Sequence, residues 1–258
     1  MNLLRIVIHL RKYRFGDNIF IGIKSLEIVG DIEILPTNLF MDCSSLEELK
    51  ISSSITEIEE YAFKGCSLLY QILIPSSVKY IGKCAFKGCI SLNKLKIPSS
   101  VISTGECIFK GFRSIEIAGD LEKIPNGMFN NCSKLREIIL PSTFTSIGDF
   151  AFKECTSLTQ IPISQYVTSI GEGAFMNCII SEIKIPSSVT EIKRFTFYGC
   201  KYLKRITIPS SIKSIGDHSF SYCILLKEIA IPSSVTRIGK SAFLMCKSLT
   251  KIEIPSSI

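Results

Sequence analysis

The chain has 258 residues, of which 46% are hydrophobic, and a mean hydropathy of +0.33. This composition supplies enough apolar material for a folded core and excludes a disordered chain. Charged residues, serine or proline interrupt every apolar stretch before the roughly 18 residues that a membrane-spanning helix needs. The net charge of +7 is spread along the sequence. We therefore expect no membrane insertion and no nucleic-acid partner.

A period of 23 residues organises the chain. Eleven phenylalanines keep this spacing with small deviations: Phe20, Phe40, Phe63, Phe86, Phe109, Phe129, Phe152, Phe175, Phe197, Phe220 and Phe243. Nine of them are followed three residues later by a cysteine, and most of these by a leucine three residues further on. Two shorter units of 20 residues, starting at Phe20 and Phe109, lack the cysteine and match each other at an offset of 89.

The same offset places Leu3 over Leu92 and Gly16 over Gly105, so the first residues read as a repeat. Charged residues interrupt the apolar stretch near the N-terminus, and no small-x-small cleavage site follows it. These features predict that the chain has no signal peptide, which would favour a cytoplasmic location.

Each repeat combines three local patterns. Alternation such as Ile72-Leu73-Ile74 predicts a strand of about three to five residues with two inward side chains. The proline after it ends strand pairing, and the following Ser-Ser favours a turn. Glycines such as Gly82 are expected to supply the positive φ of a tight corner. The Ala-Phe-x-x-Cys-x-x-Leu spacing then indicates a short helical turn with one buried face.

A unit of this size cannot bury its own apolar residues, so successive units must stack on one another. The predicted fold class is an α/β repeat solenoid, with a parallel sheet of short strands on one face and turns or short helical turns on the other. We expect a single solenoid over residues 1–258, with about eleven repeats and without obvious caps. Because open ends would expose strand edges, end-to-end self-association is left open.

The segment from Leu226 to Cys246 reads Leu-x-x-Ile-x-Ile-Pro-Ser-Ser-Val-Thr-x-Ile-Gly-x-x-Ala-Phe-x-x-Cys. This pattern resembles the BspA-like leucine-rich repeat, known from surface proteins of bacteria and parasitic protists. The resemblance implies a leucine-rich-repeat solenoid that binds proteins without catalysing a reaction. It also implies adhesion or host interaction at the cell surface, with an intracellular interaction scaffold as the alternative.

The cysteines after the repeated phenylalanines are predicted to be small buried hydrophobes. Cys84 and Cys89 are the only close pair, and His9 lies far from His218, so we predict no metal site and no cofactor. Cys84 and Cys107 both precede a repeat phenylalanine by two residues. A disulfide between them, which would need an oxidising compartment, is left open.

One acid–base pair is present, His218 beside Asp217. It occupies a variable turn position, and no unusual residue nearby marks a nucleophile. We therefore interpret His218 as a solvated turn histidine and predict no enzymatic activity and no catalytic residue.

The residues that flank the buried isoleucines should project outward from the strands and align in two columns. The predicted partner-binding residues are Glu48, Lys50, Gln71, Leu73, Lys94, Lys96, Glu137, Ile139, Gln160, Pro162, Glu182, Lys184, Arg205 and Thr207. The columns are expected to pass through Ser114 and Glu116, placed beside Lys94 and Lys96. Leu73, Ile139 and Pro162 resemble hydrophobic anchors within a polar surround, whereas an ordinary solvated sheet stays an alternative.

Overall fold

The computed structural model describes residues 19–256, so the predicted repeat that begins at Leu3 lies outside the described residues. The described residues contain 20 short strands, numbered β1 to β20 in chain order, and no helix. They fall into two compact units. Unit 1 comprises the residues up to Leu121 together with Ile138–Pro141, and unit 2 comprises Glu122–Glu137 and the residues from Ser142 onward. The single solenoid expected over residues 1–258 stays a prediction.

Unit 1 contains two sets of parallel strands. The longer strands are β1 (Ser25–Glu27), β3 (Glu48–Lys50), β5 (Gln71–Leu73), β7 (Lys94–Lys96) and β9 (Ser114–Ala118), and β11 (Glu137–Ile139) lies beside β9. The two-residue strands β2 (Ile34–Leu35), β4 (Glu57–Ile58), β6 (Tyr80–Ile81) and β8 (Ser103–Thr104) form a second sheet. Equivalent residues of successive repeats pair, as Leu49 does with Ile72. The predicted stacking of parallel strands is confirmed within this unit.

Unit 2 repeats the same plan. Its longer strands are β14 (Glu182–Lys184), β16 (Arg205–Thr207), β18 (Glu228–Ala230) and β20 (Lys251–Glu253). Its two-residue strands are β10 (Lys123–Ile124), β12 (Ser146–Ile147), β13 (Ser169–Ile170), β15 (Glu191–Ile192), β17 (Ser214–Ile215) and β19 (Arg237–Ile238). Only one strand per repeat was expected from the sequence. The second strand has a visible signal, because Thr-x-Ile before the glycine also alternates.

The core of both units consists of columns of identical side chains. The repeated phenylalanines are buried, except Phe243, which is half-buried, and their rings stack, with centroids 5.5 Å apart for Phe40 and Phe63 and 5.3 Å apart for Phe197 and Phe220. In the 20-residue repeat after Phe109, the place of the cysteine is taken by Phe112, which packs edge-on against that ring.

The cysteines that follow the phenylalanines by three residues form a second column, which we call the thiol column. Its members are Cys43, Cys66, Cys89, Cys132, Cys155, Cys178, Cys200, Cys223 and Cys246, all buried except Cys246, which is half-buried. Most donate a hydrogen bond to a phenylalanine carbonyl of the preceding repeat, as Cys66 Sγ does to Phe40 O at 3.0 Å. The predicted inward position of these cysteines is confirmed, and the bond explains why a small apolar donor suits the site.

Turns replace the expected helical segments. In each described repeat the residues two before and two after the phenylalanine have positive φ, as at Tyr61 (57°) and Gly65 (80°) around Phe63. The N–H groups of these three residues donate to carbonyls of the next repeat, while Lys64 N–H bonds within its own turn. An α-helix makes its backbone hydrogen bonds within itself, and residues with left-handed φ interrupt it. The helical part of the α/β expectation is therefore not confirmed.

The glycines at the corner have a different role from the one expected. Gly82 and Gly216 do not have positive φ. A Cβ atom on Gly82 would lie 2.5 Å from the backbone carbon of Glu59, and one on Gly216 would lie 2.5 Å from the nitrogen of Arg194. The expectation of positive φ at Gly82 was wrong, because these positions need glycine to let neighbouring backbones approach closely.

Candidate partner-binding face

The outward side chains of the three- to five-residue strands form a surface in each unit that we call the strand face. In unit 1 it carries two apolar side chains, Leu73 on β5 and Ile139 on β11, each 62% exposed. Lys50 and Lys96 occupy the matching positions of β3 and β7 and are exposed. The face therefore presents isolated apolar groups among flexible cations, which is a common composition of a binding surface.

The register of β9 differs from the predicted columns. Lys94 pairs with Glu116 and Lys96 with Ala118, rather than with Ser114 and Glu116. β9 is five residues long, and its first two residues precede the part that pairs with β7. As a result Lys94 Nζ lies 2.5 Å from Glu116 Oε1, and the small side chain of Ala118 stands beside Lys96 on the strand face.

Two exposed apolar residues beside β5 were missed by the sequence reading. Leu68 and Tyr70 precede the strand and, with Leu73, give one repeat three exposed hydrophobic side chains. The Tyr70 hydroxyl donates a hydrogen bond to the Glu48 carboxylate of the previous repeat. This bond is the main cause that raises the pKa of Tyr70. The available signal was Tyr70, since the other repeats with this leucine carry a polar residue at its position, whereas the position of Leu68 is also apolar at Leu225.

The strand face of unit 2 has a different character. Arg205 Nη2 pairs with Glu182 Oε1 at 2.8 Å across β14 and β16, and both side chains are exposed. The short side chains of Thr207 and Ala230 leave a recess of about 360 Å³ between the longer ones. Its lining residues are Arg205, Ile206, Thr207, Glu228, Ile229, Ala230, Lys251 and Glu253. Charges of both signs therefore surround a shallow apolar floor.

Other predicted residues are exposed in less regular surroundings. Gln160 and Pro162 are exposed, but their segment is not a strand, so the predicted columns are interrupted there. Pro162 has no N–H to donate, which explains the gap in strand pairing. Glu137 on β11 and Lys184 on β14 are exposed, as predicted for strand-face residues.

A second recess of about 330 Å³ lies along the two-residue strands of unit 2. Ionised side chains from successive repeats line it, among them Glu172, Arg194 and Arg237. Arg194 Nε pairs with Glu172 Oε1 at 3.0 Å. This surface was not expected from the sequence, because only one strand was predicted for each repeat.

His218 packs against side chains of neighbouring turns. Its half-buried ring stacks on Phe195 with centroids 5.3 Å apart, and its Nδ1 lies 3.3 Å from Ser221 Oγ. The Ser221 hydroxyl donates to the Ser241 carbonyl at 2.6 Å, so its proton is directed away from the imidazole. Asp217 accepts the backbone N–H of Lys240 at 2.8 Å. These contacts hold a turn in place rather than activate a nucleophile.

Among residues 19–256, no three His, Cys, Asp or Glu side chains lie close enough together to hold a metal ion. The same part of the chain has no helix with the length and apolarity to cross a bilayer.

Comparison with known structures identifies the class of protein. The chain is similar to a leucine-rich repeat protein from Bacteroides ovatus, with 28% identity and a TM-score of 0.56, over 91% of this chain and 73% of that chain. A leucine-rich repeat protein from Eubacterium ventriosum is 19% identical, with a TM-score of 0.50, over 92% of this chain and 80% of that chain. The fold is a leucine-rich repeat solenoid of parallel strands.

The family follows from the sequence. The model of the BspA type leucine rich repeat region matches residues 2–80, 57–179 and 168–258. The chain belongs to this family of leucine-rich repeat proteins, whose general role is protein interaction. A comparison with curated protein sequences finds no match.

Proposed function

We propose that the chain is a non-enzymatic protein-binding repeat protein that engages its partner through the strand face, in adhesion or interaction at a cell surface. The observation that carries the proposal is the pair of apolar side chains, Leu73 and Ile139, exposed within the same unit. A solvated sheet has no need for large apolar groups at these two positions. An interface gains binding free energy by burying them.

The surroundings of the two side chains support this use. Lys50 pairs with Leu73 across β3 and β5, and Ala118 pairs with Lys96 across β7 and β9, where its short side chain leaves space on the face. Apolar anchors with a charged rim favour a partner that has apolar side chains and some negative charge. The cell-surface setting is the one that the family resemblance implies.

The test compares two double variants. Leu73→Asp/Ile139→Asp should reduce binding to a protein partner at least about tenfold, because two anchors of roughly 1 to 2 kcal/mol each are replaced by carboxylates. Ile34→Asp/Ile102→Asp is the matched control, because both isoleucines are exposed in unit 1 but lie on or beside the two-residue strands. The control should bind like the unmodified chain.

Binding is measured with fluorescently labelled chain on intact epithelial cells and on immobilised extracellular-matrix proteins. A signal that the first variant loses and the control keeps supports the proposal. Equal loss in both variants would contradict the assignment of the strand face. Capture of a partner only from a cytosolic fraction, with no binding to intact cells or matrix, would favour the intracellular scaffold.

A further inference from the structure

Two cysteines of unit 1 stand outside the thiol column. Cys84 and Cys107 have φ of 55° and 60° and occupy the left-handed position two residues before the repeat phenylalanine. Asn38 and Tyr61 hold that position in the earlier repeats of unit 1, and both side chains are half-buried. The position therefore directs a side chain toward the surface. The two thiols are short, so they remain 5% and 9% exposed.

The backbone places these two residues side by side. Cys84 N–H donates to the Glu106 carbonyl at 2.9 Å, which makes Cys84 and Cys107 neighbours in consecutive repeats. Each also closes the same turn, because Lys87 N–H bonds to Cys84 O and Lys110 N–H bonds to Cys107 O, both at 3.0 Å. Because the two repeats have the same local backbone conformation, the Cα–Cβ bonds of Cys84 and Cys107 point in the same direction. Adjacent parallel backbone segments lie about 4.8 Å apart, which is within the range of Cα–Cα distances found in disulfides.

The electrostatic surroundings agree with this geometry. Burial is the main cause that raises the pKa of the Cys84 thiol, and the adjacent Cys107 thiol raises it further. Lys87 and Lys83 act in the opposite direction, since a nearby cation stabilises the thiolate. Lys83 is exposed and Lys87 is half-buried, so both cations are close to solvent as well as to Cys84.

The thiol column lacks this access. Cys66 and Cys89 also occupy consecutive repeats, but both are 0% exposed. Their Sγ atoms donate to Phe40 O and Phe63 O, each at 3.0 Å, and are thereby directed at the backbone. Thiol–disulfide exchange needs a thiolate that can be reached in line by another sulfur. Cys84 and Cys107 meet this requirement better than the column does.

We propose that Cys84 and Cys107 form a disulfide between consecutive repeats when the chain meets a small-molecule disulfide. The thiolate of one cysteine attacks a sulfur of the oxidant, forming a mixed disulfide and releasing one small thiolate. The second cysteine then attacks the protein sulfur of that mixed disulfide and releases the other. Two protein thiols are oxidised, the oxidant is reduced to two thiols, and the two protons pass to the released thiolates. The new bond closes a loop of one repeat in unit 1.

The experiment uses the purified chain with oxidised glutathione, followed by alkylation of free thiols and digestion with trypsin. Cleavage after lysine places the two cysteines in separate peptides, residues 84–87 and 97–110. The expected product is these two peptides joined, at a mass two hydrogen atoms below their sum, and separated again by dithiothreitol. The oxidised chain should also melt several degrees above the reduced chain, because the cross-link restricts the unfolded state.

Two variants make the result specific. Cys84→Ser should leave Cys107 alkylated and remove the rise in melting temperature. Cys66→Ser, the matched control from the thiol column, should keep the joined peptides. Alkylation of both Cys84 and Cys107 after oxidation would overturn the proposal, as would cross-links to other cysteines or between molecules. The outcome is independent of partner binding, so it stands or fails separately from the proposed function.

Discussion

The strand faces of the two units share one backbone plan and differ in their side chains. In unit 1, Leu73 and Ile139 are exposed, and Lys50 lies beside Leu73. In unit 2, the corresponding columns hold the ion pair of Arg205 with Glu182 and the small residues Thr207 and Ala230. The interior columns of phenylalanine and cysteine run through both units, and Phe112 replaces one cysteine in unit 1. The difference therefore shows that outward strand positions vary without altering the interior that supports them.

This separation has a structural cause. Along β5 and the residue after it, Ile72 and Ile74 are buried in the core, while Gln71 and Leu73 are exposed. Alternate side chains of a strand point to opposite faces, so a change on one face leaves packing on the other unchanged. The comparison predicts large effects for interior substitutions in either unit and small effects on stability for substitutions on the strand faces.

The largest expected effect is that of Cys155→Asp in unit 2. Cys155 is fully buried, and its Sγ donates to Phe129 O at 3.2 Å. A carboxylate there would be buried without a partner and would face a carbonyl oxygen, so we expect a loss of about 3 to 5 kcal/mol in the free energy of unfolding. Chemical denaturation followed by circular dichroism measures it.

Cys155→Ala is the control for this variant. It removes the hydrogen bond and one sulfur atom without adding charge, so it should cost about 1 kcal/mol. A Cys155→Asp chain that unfolds at the same denaturant concentration as the unmodified chain would show that the thiol column does not face the interior.

Alkaline pH should destabilise the chain through the same column. Burial raises the pKa of Cys178 from 9.0 to about 12 and that of Cys246 to about 11. Below about pH 9 these thiols are protonated in both the folded and the unfolded chain, so their contribution to stability is complete. Above that pH the unfolded chain loses protons that the folded chain retains, and stability falls until the pH passes the folded pKa. At about pH 10 a thiol such as Cys178 lowers the free energy of unfolding by on the order of 1 kcal/mol.

Cys178→Ala isolates this effect from the titration of lysine and tyrosine. Unfolding is measured at about pH 8 and about pH 10 in the presence of a reductant, for the variant and the unmodified chain. The difference in stability between the two pH values should be smaller in the variant by about the contribution of one thiol. An unchanged difference would mean that Cys178 is accessible to water in the folded chain.

The stacking of repeats was predictable because it depends only on spacing. Phenylalanine and cysteine recur at one period, and residues that recur this way must meet in a stacked array. The turns were not predicted, because the apolar spacing of a short helix also fits a series of tight turns. A signal did exist two residues after the phenylalanines, where Gly65, Gly88 and Asn177 stand. Glycine and asparagine are the residues that most readily adopt positive φ.

The sequence predicted which residues of the partner-binding face point outward. It did not predict which of them lie beside each other in neighbouring strands. Alternation places Leu73 and Lys96 outward whatever the neighbouring repeat contains. The pairing of Lys96 with Ala118 depends on where the 20-residue repeat lost three residues, and its sequence alone does not mark that place. The ion pairs also depend on side-chain rotamers, which a repeat alignment does not determine.

The smallest expected effect concerns the ion pair of unit 2. Arg205→Ala removes the contact with Glu182, in which both side chains are more than half exposed. Water and salt screen such pairs, so we expect a change within about 0.5 kcal/mol in the free energy of unfolding. Binding of the partner that Leu73 and Ile139 engage should also stay within about twofold if unit 1 holds the anchors. A loss of binding as large as that of Leu73→Asp/Ile139→Asp would mean that the strand face of unit 2 contacts the partner directly, and that charge rather than apolar burial selects it.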